Sequence, residues 1–472
     1  MSARRANLPV GGPYRVGVIY LDNNATTRPA AGVVEAVGRV MREGWGNPSS
    51  VHRFGQAARH EVEMARARVA ALIGARPREI VFTSGGTEAI DLCVRGVLGG
   101  EVGRGGRGKP VGEGDTGGPP PLPVPRGQVG EVEAGGPPAP RGEVDSRPVL
   151  VTTRVEHAAV RELAEALERE GVCEVRWLEV DGDGVVRVDR LEGAIDGRVA
   201  LVSVQWANNE TGAVQPVMEV ARAARRVGAV FHCDATQWVG KMPVEVWGGD
   251  GAAGAGVADL VTFSAHKFHG PKGVGAVWRR PGVGLVPRLV GTQEGGARGG
   301  TENVAGIVGM GVAAELAGEW LSEPSRREAC ARLREEFEAR VLELVEGAVV
   351  VGPRGGDQVG GVGTGGTPVP RDLVGRIWST SNIAFPRLEA EALLMLLSER
   401  GVCASAGAAC SSGSLEPSPV LLAMGVPEEV AHGAVRFSIS RETTREELME
   451  AAAIVAACVE RLRGSGGGGR AK

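Results

Sequence analysis

Residues 262–273, TFSAHKFHGPKG, place a lysine directly after a short apolar run. Such a run predicts a β-strand, so the amine of Lys267 would stand at the carboxyl end of that strand, where clefts of open α/β sheets lie. A lysine in a dry cleft loses basicity by desolvation and becomes a nucleophile towards an aldehyde. Ser264 and His266 flank it as donors for a phosphate.

Two further stretches add partners for the same kind of ligand. In TSGGTEA, residues 83–89, a strand ends at glycines that open a helix and expose backbone N–H groups to an anion, although such glycines also serve tight geometry alone. In FHCDATQ, residues 231–237, Asp234 ends a strand, where it meets a protonated ring nitrogen or caps a helix. A phosphate cradle, a ring-nitrogen partner and an aldehyde-reactive lysine together predict a pyridoxal 5'-phosphate site.

The elements around these residues indicate an α/β fold. From Ile80 onward, short β-rich runs alternate with helices of about a dozen residues, which is typical of βαβ units and a mainly parallel sheet. After Gly306 longer helices and short strands indicate a smaller α+β domain. We therefore expect an N-terminal arm, a large cofactor-binding domain, a small domain and a flexible tail. Their predicted bounds are 1–18, 19–305, 306–462 and 463–472.

One segment interrupts the large domain. Residues 99–148 are dominated by glycine, proline and charge and contain no aromatic, Ile or Met residue. Such a composition buries too little apolar surface to offset the entropy of ordering, so we predict a disordered surface insertion. It is interpreted either as a solvated connector or as an element that docks a partner.

Charge and cysteine content exclude several classes of protein. The chain carries 53 Lys and Arg against 57 Asp and Glu, and a net charge of −4 offers no broad basic face for nucleic acid. Seven cysteines without a C-x-x-C pair disfavour a disulfide framework or zinc site and favour a reducing, cytoplasmic setting. No signal segment and no run of about 18 apolar residues is apparent, so no membrane partner is expected.

Ten motifs in order carry a resemblance to a known family. They are YLDNNATT (20–27), GNPSSVHRFG (46–55), EIVFTSGGTEA (79–89), EHAAV (156–160), NNETGAVQP (208–216), DATQWVGK (234–241), SAHKFHGPKG (264–273), RGGTENV (298–304), SAGAACSSGSLEPS (405–418) and VRFSISRETT (435–444). With them the chain resembles the cysteine desulfurases, pyridoxal-phosphate enzymes of the aminotransferase class V type, from Ile19 to about Leu462. The resemblance implies fold type I: a mainly parallel seven-stranded sheet in the large domain and a smaller α+β C-terminal domain.

The resemblance also implies roles for single residues. Lys267 would bind the cofactor aldehyde and later move the Cα proton, Asp234 would pair with the pyridine nitrogen, and His157 would stack on the ring and help in proton transfer. Gln237 would bind the phenolic oxygen, with Asn209 near the same edge. The other implied contacts are Gly86, Thr87, Ser264, His266 and a second subunit's Thr301 at the phosphate, and Arg436, Asn47 and Asn209 at the substrate.

Cys410 decides the reaction type. It lies among small residues in a stretch at about 403–418 that reads as a loop, although a small buried cysteine is the alternative from composition alone. The resemblance implies that its thiolate takes sulfur from L-cysteine, which leaves a persulfide and releases L-alanine. Cys403 resembles no family residue and is interpreted as structural. The long loop is similar to that of desulfurases that deliver sulfur to iron-sulfur scaffold proteins, with tRNA thiolation left open.

Two departures and three alternatives accompany this interpretation. Where the family usually has an arginine and often a serine, the chain has Gly295 and Gly299, which puts the phosphate-side contact of the expected homodimer in question. A selenocysteine lyase or an aminotransferase of the same fold is the alternative enzyme. A non-catalytic sulfur-relay subunit is the alternative from another class, and the joint presence of Lys267, Asp234, His157, Arg436 and Cys410 argues against it.

Overall fold

The computed structural model describes residues 17–100, 147–247, 256, 258–354, 375–407 and 416–466. The predicted arm up to residue 16, residues 101–146 of the predicted insertion, Cys410 and residues 467–472 of the predicted tail lie outside these described residues.

Twelve helices occur in the described part of the chain. They are α1 Ala31–Glu43, α2 Arg53–Leu72, α3 Gly86–Leu98, α4 Ala158–Arg169, α5 Leu191–Ala194, α6 Val217–Val227, α7 Val304–Leu321, α8 Pro324–Leu344, α9 Ala390–Glu399, α10 Pro419–Ala423, α11 Glu428–Ala431 and α12 Arg445–Gly466. Because α12 continues to Gly466, residues 463–466 of the predicted tail are helical instead.

Thirteen strands accompany these helices within the described ranges. They are β1 Ile19–Tyr20, β2 Ile80–Thr83, β3 Val149–Thr153, β4 Glu174–Leu178, β5 Val199–Ser203, β6 Val230–Asp234, β7 Leu260–Ser264, β8 Gly275–Arg279, β9 Val349–Val350, β10 Thr380–Ala384, β11 Val402–Cys403, β12 Ser405–Ala406 and β13 Ala434–Ser438.

The large sheet has seven strands in the order β2-β8-β7-β6-β5-β3-β4. Strands β4, β3, β5, β6 and β7 pair in parallel, and β8 pairs antiparallel to both β7 and β2. Strands β3, β5 and β7 are buried along their whole length, which explains why they read as continuous apolar runs. The predicted mainly parallel seven-stranded sheet is confirmed.

A second sheet follows in the C-terminal part. It is antiparallel, with the order β12-β13-β10-β9, and β1 near the N-terminus pairs in parallel with β11 beside it. One apolar core extends from Leu21 through Phe263 of β7 to Phe437 of β13. The N-terminal segment is therefore tied to the same region as the C-terminal sheet, which matters for the site described below.

The predicted division into domains stays a prediction, but its boundary at 305/306 falls inside α7. This helix packs against α1 and α2, on the large-sheet side of the chain. Among the described helices, α7 is long and apolar enough to cross a membrane, yet half of it is buried inside the fold. It is packed as a core helix.

Candidate active site

A cavity of about 500 Å³ opens at the carboxyl ends of β2, β3, β5, β6 and β7. This is the place where open α/β sheets bind their ligands, because successive βα loops converge there. Ten of the predicted site residues line it: Gly86, Thr87, His157, Asn209, Asp234, Gln237, Ser264, His266, Lys267 and Arg436. In the described part of the chain, no cluster of His, Cys, Asp or Glu is arranged to hold a metal ion.

Lys267 ends a short 3₁₀ turn, Ala265–Lys267, that directly follows β7. Its Nζ donates to the backbone oxygens of Asn24, at 2.6 Å, and of Ala25, at 2.9 Å. The segment after β1 therefore holds the amine at the cavity wall.

His157 and Asp234 lie on neighbouring parts of the same cavity. Nδ1 of His157 accepts from the backbone N–H of Ala159 at 3.1 Å and thereby caps α4. Burial lowers the pKa of His157, and the charge of Lys267 acts in the same direction while Asp234 opposes it. A neutral imidazole that accepts at Nδ1 carries its proton on Nε2. Asp234 is 6% exposed, and its Oδ1 accepts from the backbone N–H of Thr236 at 2.9 Å.

The start of α3 forms an anion cradle. The helix begins at Gly86 with Gly85 as its cap, so its first backbone N–H groups face the cavity end of β2. Any Cβ at Gly86 would contact Oγ1 of Thr236 and Cβ of Ser264, at 3.4 and 3.7 Å. Oγ1 of Thr236 is buried and has no hydrogen-bond partner in the described structure. A helix N-terminus beside an unpartnered hydroxyl fits a phosphate group.

His266 closes the same end of the cavity. Its Nδ1 lies 3.3 Å from Oγ1 of Thr26, and its backbone oxygen accepts from Oγ1 of Thr27 at 2.9 Å. Burial, followed by the charges of three lysines, lowers the pKa of His266 to about 4. The imidazole is therefore neutral near pH 7 and can act as a hydrogen-bond donor without adding charge.

Arg436 lines the cavity from β13 and is 2% exposed. Its Nη1 donates to the backbone oxygen of Asn209 at 3.0 Å, and its Nη2 donates to Oδ1 of Asp22 at 2.8 Å. Nε of Arg436 and Oδ1 of Asn209 are buried without hydrogen-bond partners in the described structure. Unpartnered donor and acceptor atoms on these two cavity residues fit a small zwitterion that carries a carboxylate.

Two predicted residues lie outside the cavity of their own chain. Asn47 is exposed in the loop between α1 and α2, and its Oδ1 accepts from the backbone N–H of Ser49 at 2.9 Å. That bond uses the side chain to close a local turn, which is a common role for asparagine before proline. Thr301 is exposed just before α7, and its predicted role belongs to a second subunit. Cys410 lies outside the described residues, but Gly407 and Glu416 on either side of it line the cavity.

The sequence analysis missed several buried polar residues of the site. Asn24 is 1% exposed and donates through Nδ2 to the backbone oxygen of Asn209, at 3.0 Å, and to Oγ1 of Thr380, at 2.8 Å. Lys241 is 4% exposed and donates to Asn24 and Gln237. Both residues lie inside motifs quoted above, and their signal is a polar side chain among apolar neighbours.

Two buried glutamates were also missed. Burial raises the pKa of Glu156 to about 8, although its Oε1 accepts from the backbone N–H of Gln205 at 2.9 Å. Burial also raises the pKa of Glu210, whose Oε2 accepts from Oγ of Ser418 at 2.6 Å. Oε2 of Glu210 also lies directly against Gly407, where a Cβ would clash. This carboxyl group therefore contacts residues on both sides of the segment that contains Cys410.

The loop that carries Gly295 and Gly299 is held in place by Glu294. Glu294 receives both terminal nitrogens of Arg66, at 2.7 and 2.8 Å, and the backbone N–H of Phe82 at 2.8 Å. A Cβ at Gly295 would meet nothing within 4 Å, whereas one at Gly299 would clash with the backbone oxygen of Val290. The loop leaves space at position 295, but Gly295 has a φ of +63°, which favours glycine, and at 299 the contact with Val290 excludes a side chain in this conformation.

Comparisons with known proteins agree on one family. The chain matches the family described as Aminotransferase class-V over residues 19–107, 140–359 and 373–450. It is 40% identical to a cysteine desulfurase of Cereibacter sphaeroides over 94% of this chain and 96% of that protein. It is 39% identical to a cysteine desulfurase of Klebsiella pneumoniae, which covers 94% of each chain. A solved structure of a NifS-like protein is 32% identical, covers 94% of this chain and 100% of its own, and superposes with a TM-score of 0.74.

Proposed function

Because the chain belongs to the cysteine desulfurase family within the class-V aminotransferases, we propose that it is a pyridoxal-phosphate-dependent cysteine desulfurase. It converts L-cysteine to L-alanine and leaves the sulfur as a persulfide on Cys410. The observation that carries this proposal is one cavity lined by Lys267, Asp234 and the start of α3. These groups match the aldehyde, the ring nitrogen and the phosphate of the cofactor.

The donor set of the cavity fits the cofactor. Gly86, Thr87, Thr236, Ser264 and His266 would hold the phosphate, and the unpartnered hydroxyl of Thr236 adds a contact that the sequence did not indicate. Asp234 would hold the pyridine nitrogen, His157 the ring face, and Gln237 with Asn209 the phenolic edge. When bound, pyridoxal phosphate supplies an electron sink that makes the Cα–H of an amino acid acidic.

Proton transfer falls to Lys267. Its Nζ is held by two backbone carbonyls at the cavity wall, where this amine would hold the cofactor aldehyde and carry the Cα proton. His157 is fixed by its bond to α4, and its lowered pKa keeps the imidazole neutral. It can therefore donate from Nε2 without placing a second charge beside the lysine.

Arg436 would bind the carboxylate of L-cysteine. A guanidinium suits this task because its parallel N–H groups match the two oxygens of a carboxylate. Asp22 and the backbone oxygen of Asn209 hold its two terminal nitrogens in the cavity wall.

Cys410 would receive the sulfur. Its thiolate attacks the sulfur of the bound cysteine, an S–S bond forms, and the C–S bond breaks. The electron pair of that bond stays with carbon, which takes up a proton to become the methyl group of alanine. The persulfide then delivers sulfur to iron-sulfur scaffold proteins or other acceptors in the cytoplasm.

A homodimer is part of the proposal. Trp45, Val51 and Val290 are 71%, 93% and 90% exposed, and they lie near Asn47 and Thr301 in the chain. Three strongly exposed apolar side chains in the same parts of the chain as two predicted site residues support burial of these segments against a second copy. The partner subunit would then bring Thr301 to the phosphate.

The test is alanine release from L-cysteine by protein loaded with pyridoxal phosphate, compared with Lys267→Ala. We expect turnover in the wild type and none above background in the variant, together with loss of the visible cofactor absorbance that depends on Lys267. Formation of pyruvate and pyridoxamine phosphate in place of alanine would instead indicate an aminotransferase. If the protein turns over selenocysteine in preference to L-cysteine, it is a selenocysteine lyase.

A further inference from the structure

Lys241 is a buried lysine that contacts Asn24 and Gln237, two residues of the cavity wall. It follows β6 in the chain, is 4% exposed, and donates from Nζ to Oδ1 of Asn24 at 3.0 Å and to Oε1 of Gln237 at 2.7 Å. Burial, with the charges of Lys267 and Arg436, lowers the pKa of Lys241 well below its ordinary value. A lysine is seldom buried without a reason, since removing its amine from water is costly.

The two bonds fix how both amides point. The Nζ of Lys241 has N–H groups for both bonds in either charge state, and the atoms that face it are the oxygens Oδ1 of Asn24 and Oε1 of Gln237. The Nδ2 of Asn24 is then left to donate to Asn209 and Thr380, and the Nε2 of Gln237 to donate to the backbone oxygen of Asn24 at 3.0 Å.

Gln237 keeps one further N–H. An amide nitrogen has two donors, one of which is used by Asn24, and Gln237 also lines the cavity. We propose that Lys241 is a positioning residue that makes Gln237 present an N–H, and not its carbonyl, to the phenolic oxygen of the cofactor. This inference rests on the proposed function, because it concerns the same cofactor.

The consequence is a property of the bound cofactor. An N–H at the phenolic edge stabilises the deprotonated form of the chromophore, whereas a rotated amide would place an oxygen against it. The other titratable or charged groups packed around Lys241 are Lys267, Arg436, His266, His269 and Arg441, and the charge of Lys241 lowers the pKa of both histidines. That charge is lost in the Lys241 variant whether or not Gln237 is present, so comparison of the two backgrounds separates it from the orientation of Gln237.

The experiment is a pH titration of the visible absorbance of cofactor-loaded wild type, Lys241→Met, Gln237→Met and the double variant. Lys241→Met is expected to raise the midpoint by about one pH unit. In the Gln237→Met background, the same replacement should shift it much less, because the amide on which Lys241 acts is gone. Lys272→Met removes an exposed lysine that does not contact Gln237 and serves as the matched control.

Two outcomes would overturn the inference: no shift in Lys241→Met, or the same shift in both backgrounds, which would reduce Lys241 to a structural residue or a distant charge. If Lys241→Met does not fold, Lys241→Gln tests the same point, because its amide N–H groups can still donate to Asn24 and Gln237 while the charge is absent. A midpoint close to that of the wild type is expected, and a shift of a full pH unit would mean that Lys241 acts as a distant charge. Failure of the proposed function is separable, because it shows in the wild type as no alanine release from L-cysteine, whereas failure of this inference leaves wild-type turnover intact and shows only in the midpoints of the variants.

Discussion

The guanidinium of Arg436 donates to Oδ1 of Asp22 at 2.8 Å, although the two residues lie 414 positions apart in the chain. The pair joins β13 of the C-terminal sheet to the segment that follows β1, and the same segment holds the amine of Lys267. The short segment after β1 thus positions two proposed groups of the site. The side chain of Asp22 holds the carboxylate-binding group, and the backbone oxygens of Asn24 and Ala25 hold the proton-transfer group.

Asp22→Asn is expected to weaken L-cysteine binding. The amide keeps a hydrogen bond to Arg436 but removes the charge that fixes it, which costs about 1 to 2 kcal/mol, or roughly a 5- to 30-fold rise in Kd. The measurement is the titration of cofactor absorbance with L-cysteine.

Arg436→Lys is expected to weaken the interaction with L-cysteine more than Asp22→Asn does. Because an ammonium cannot form two parallel bonds to a carboxylate, we expect a larger loss, on the order of 100-fold in kcat/KM. Binding unchanged in both variants would mean that another group holds the substrate carboxylate.

Gly407→Ala is expected to destabilise the protein. The new methyl group would clash with Oε2 of Glu210 and disturb its bond to Ser418, a steric cost of about 1 to 3 kcal/mol. The measurement is denaturant unfolding of the holoenzyme, with Gly193→Ala as the control, since nothing lies within 4 Å of a Cβ there.

Gly407→Ala should lower the free energy of unfolding by less in a Glu210→Ala background, because the atom that clashes with the new methyl group is absent. Equal costs in the two backgrounds would contradict the assignment of Glu210 as the contact that restricts position 407 to glycine.

Glu156→Gln is expected to change how stability depends on pH. The folded protein keeps Glu156 protonated up to its pKa of about 8, while the unfolded chain releases that proton near the ordinary carboxyl pKa. Stability due to this group is therefore full at low pH and falls as pH rises between those two values, by roughly 1.4 kcal/mol per pH unit. The glutamine variant lacks this loss, so its advantage in the free energy of unfolding should be larger at pH 8 than at pH 5.

The control for that comparison is Glu192→Gln, which changes an exposed carboxylate. Parallel stability curves for wild type and Glu156→Gln from pH 5 to pH 8 would show that Glu156 is already ionised in the folded protein.

The sequence predicted the central sheet well because its strands are continuous apolar runs followed by polar residues. Lys267, Asp234 and Gly86 follow β7, β6 and β2, and parallel pairing brings those strand ends to one cavity. At these strand ends the residue types and the parallel topology predict the same cavity, so reasoning from the residues was sufficient.

The supporting residues could not be predicted in the same way. Asn24 and Lys241 act through contacts that span 217 positions, and no local pattern marks which buried amide a lysine will reach. Asn47 lies outside the cavity of its own chain, where its side chain closes a local turn, and its role at the substrate stays a prediction. The predicted boundary at 305/306 falls inside α7, whose contacts with α1 and α2 join segments that are distant in sequence.

The measurement that tests the central claim most directly is alanine and sulfide release from L-cysteine and a reductant, with cofactor-loaded wild type and Cys410→Ser compared. We expect the variant to keep its cofactor absorbance and its L-cysteine-induced spectral change but to form no alanine and no persulfide. Equal alanine release by the two proteins would contradict the account, since the sulfur would then leave the substrate without Cys410.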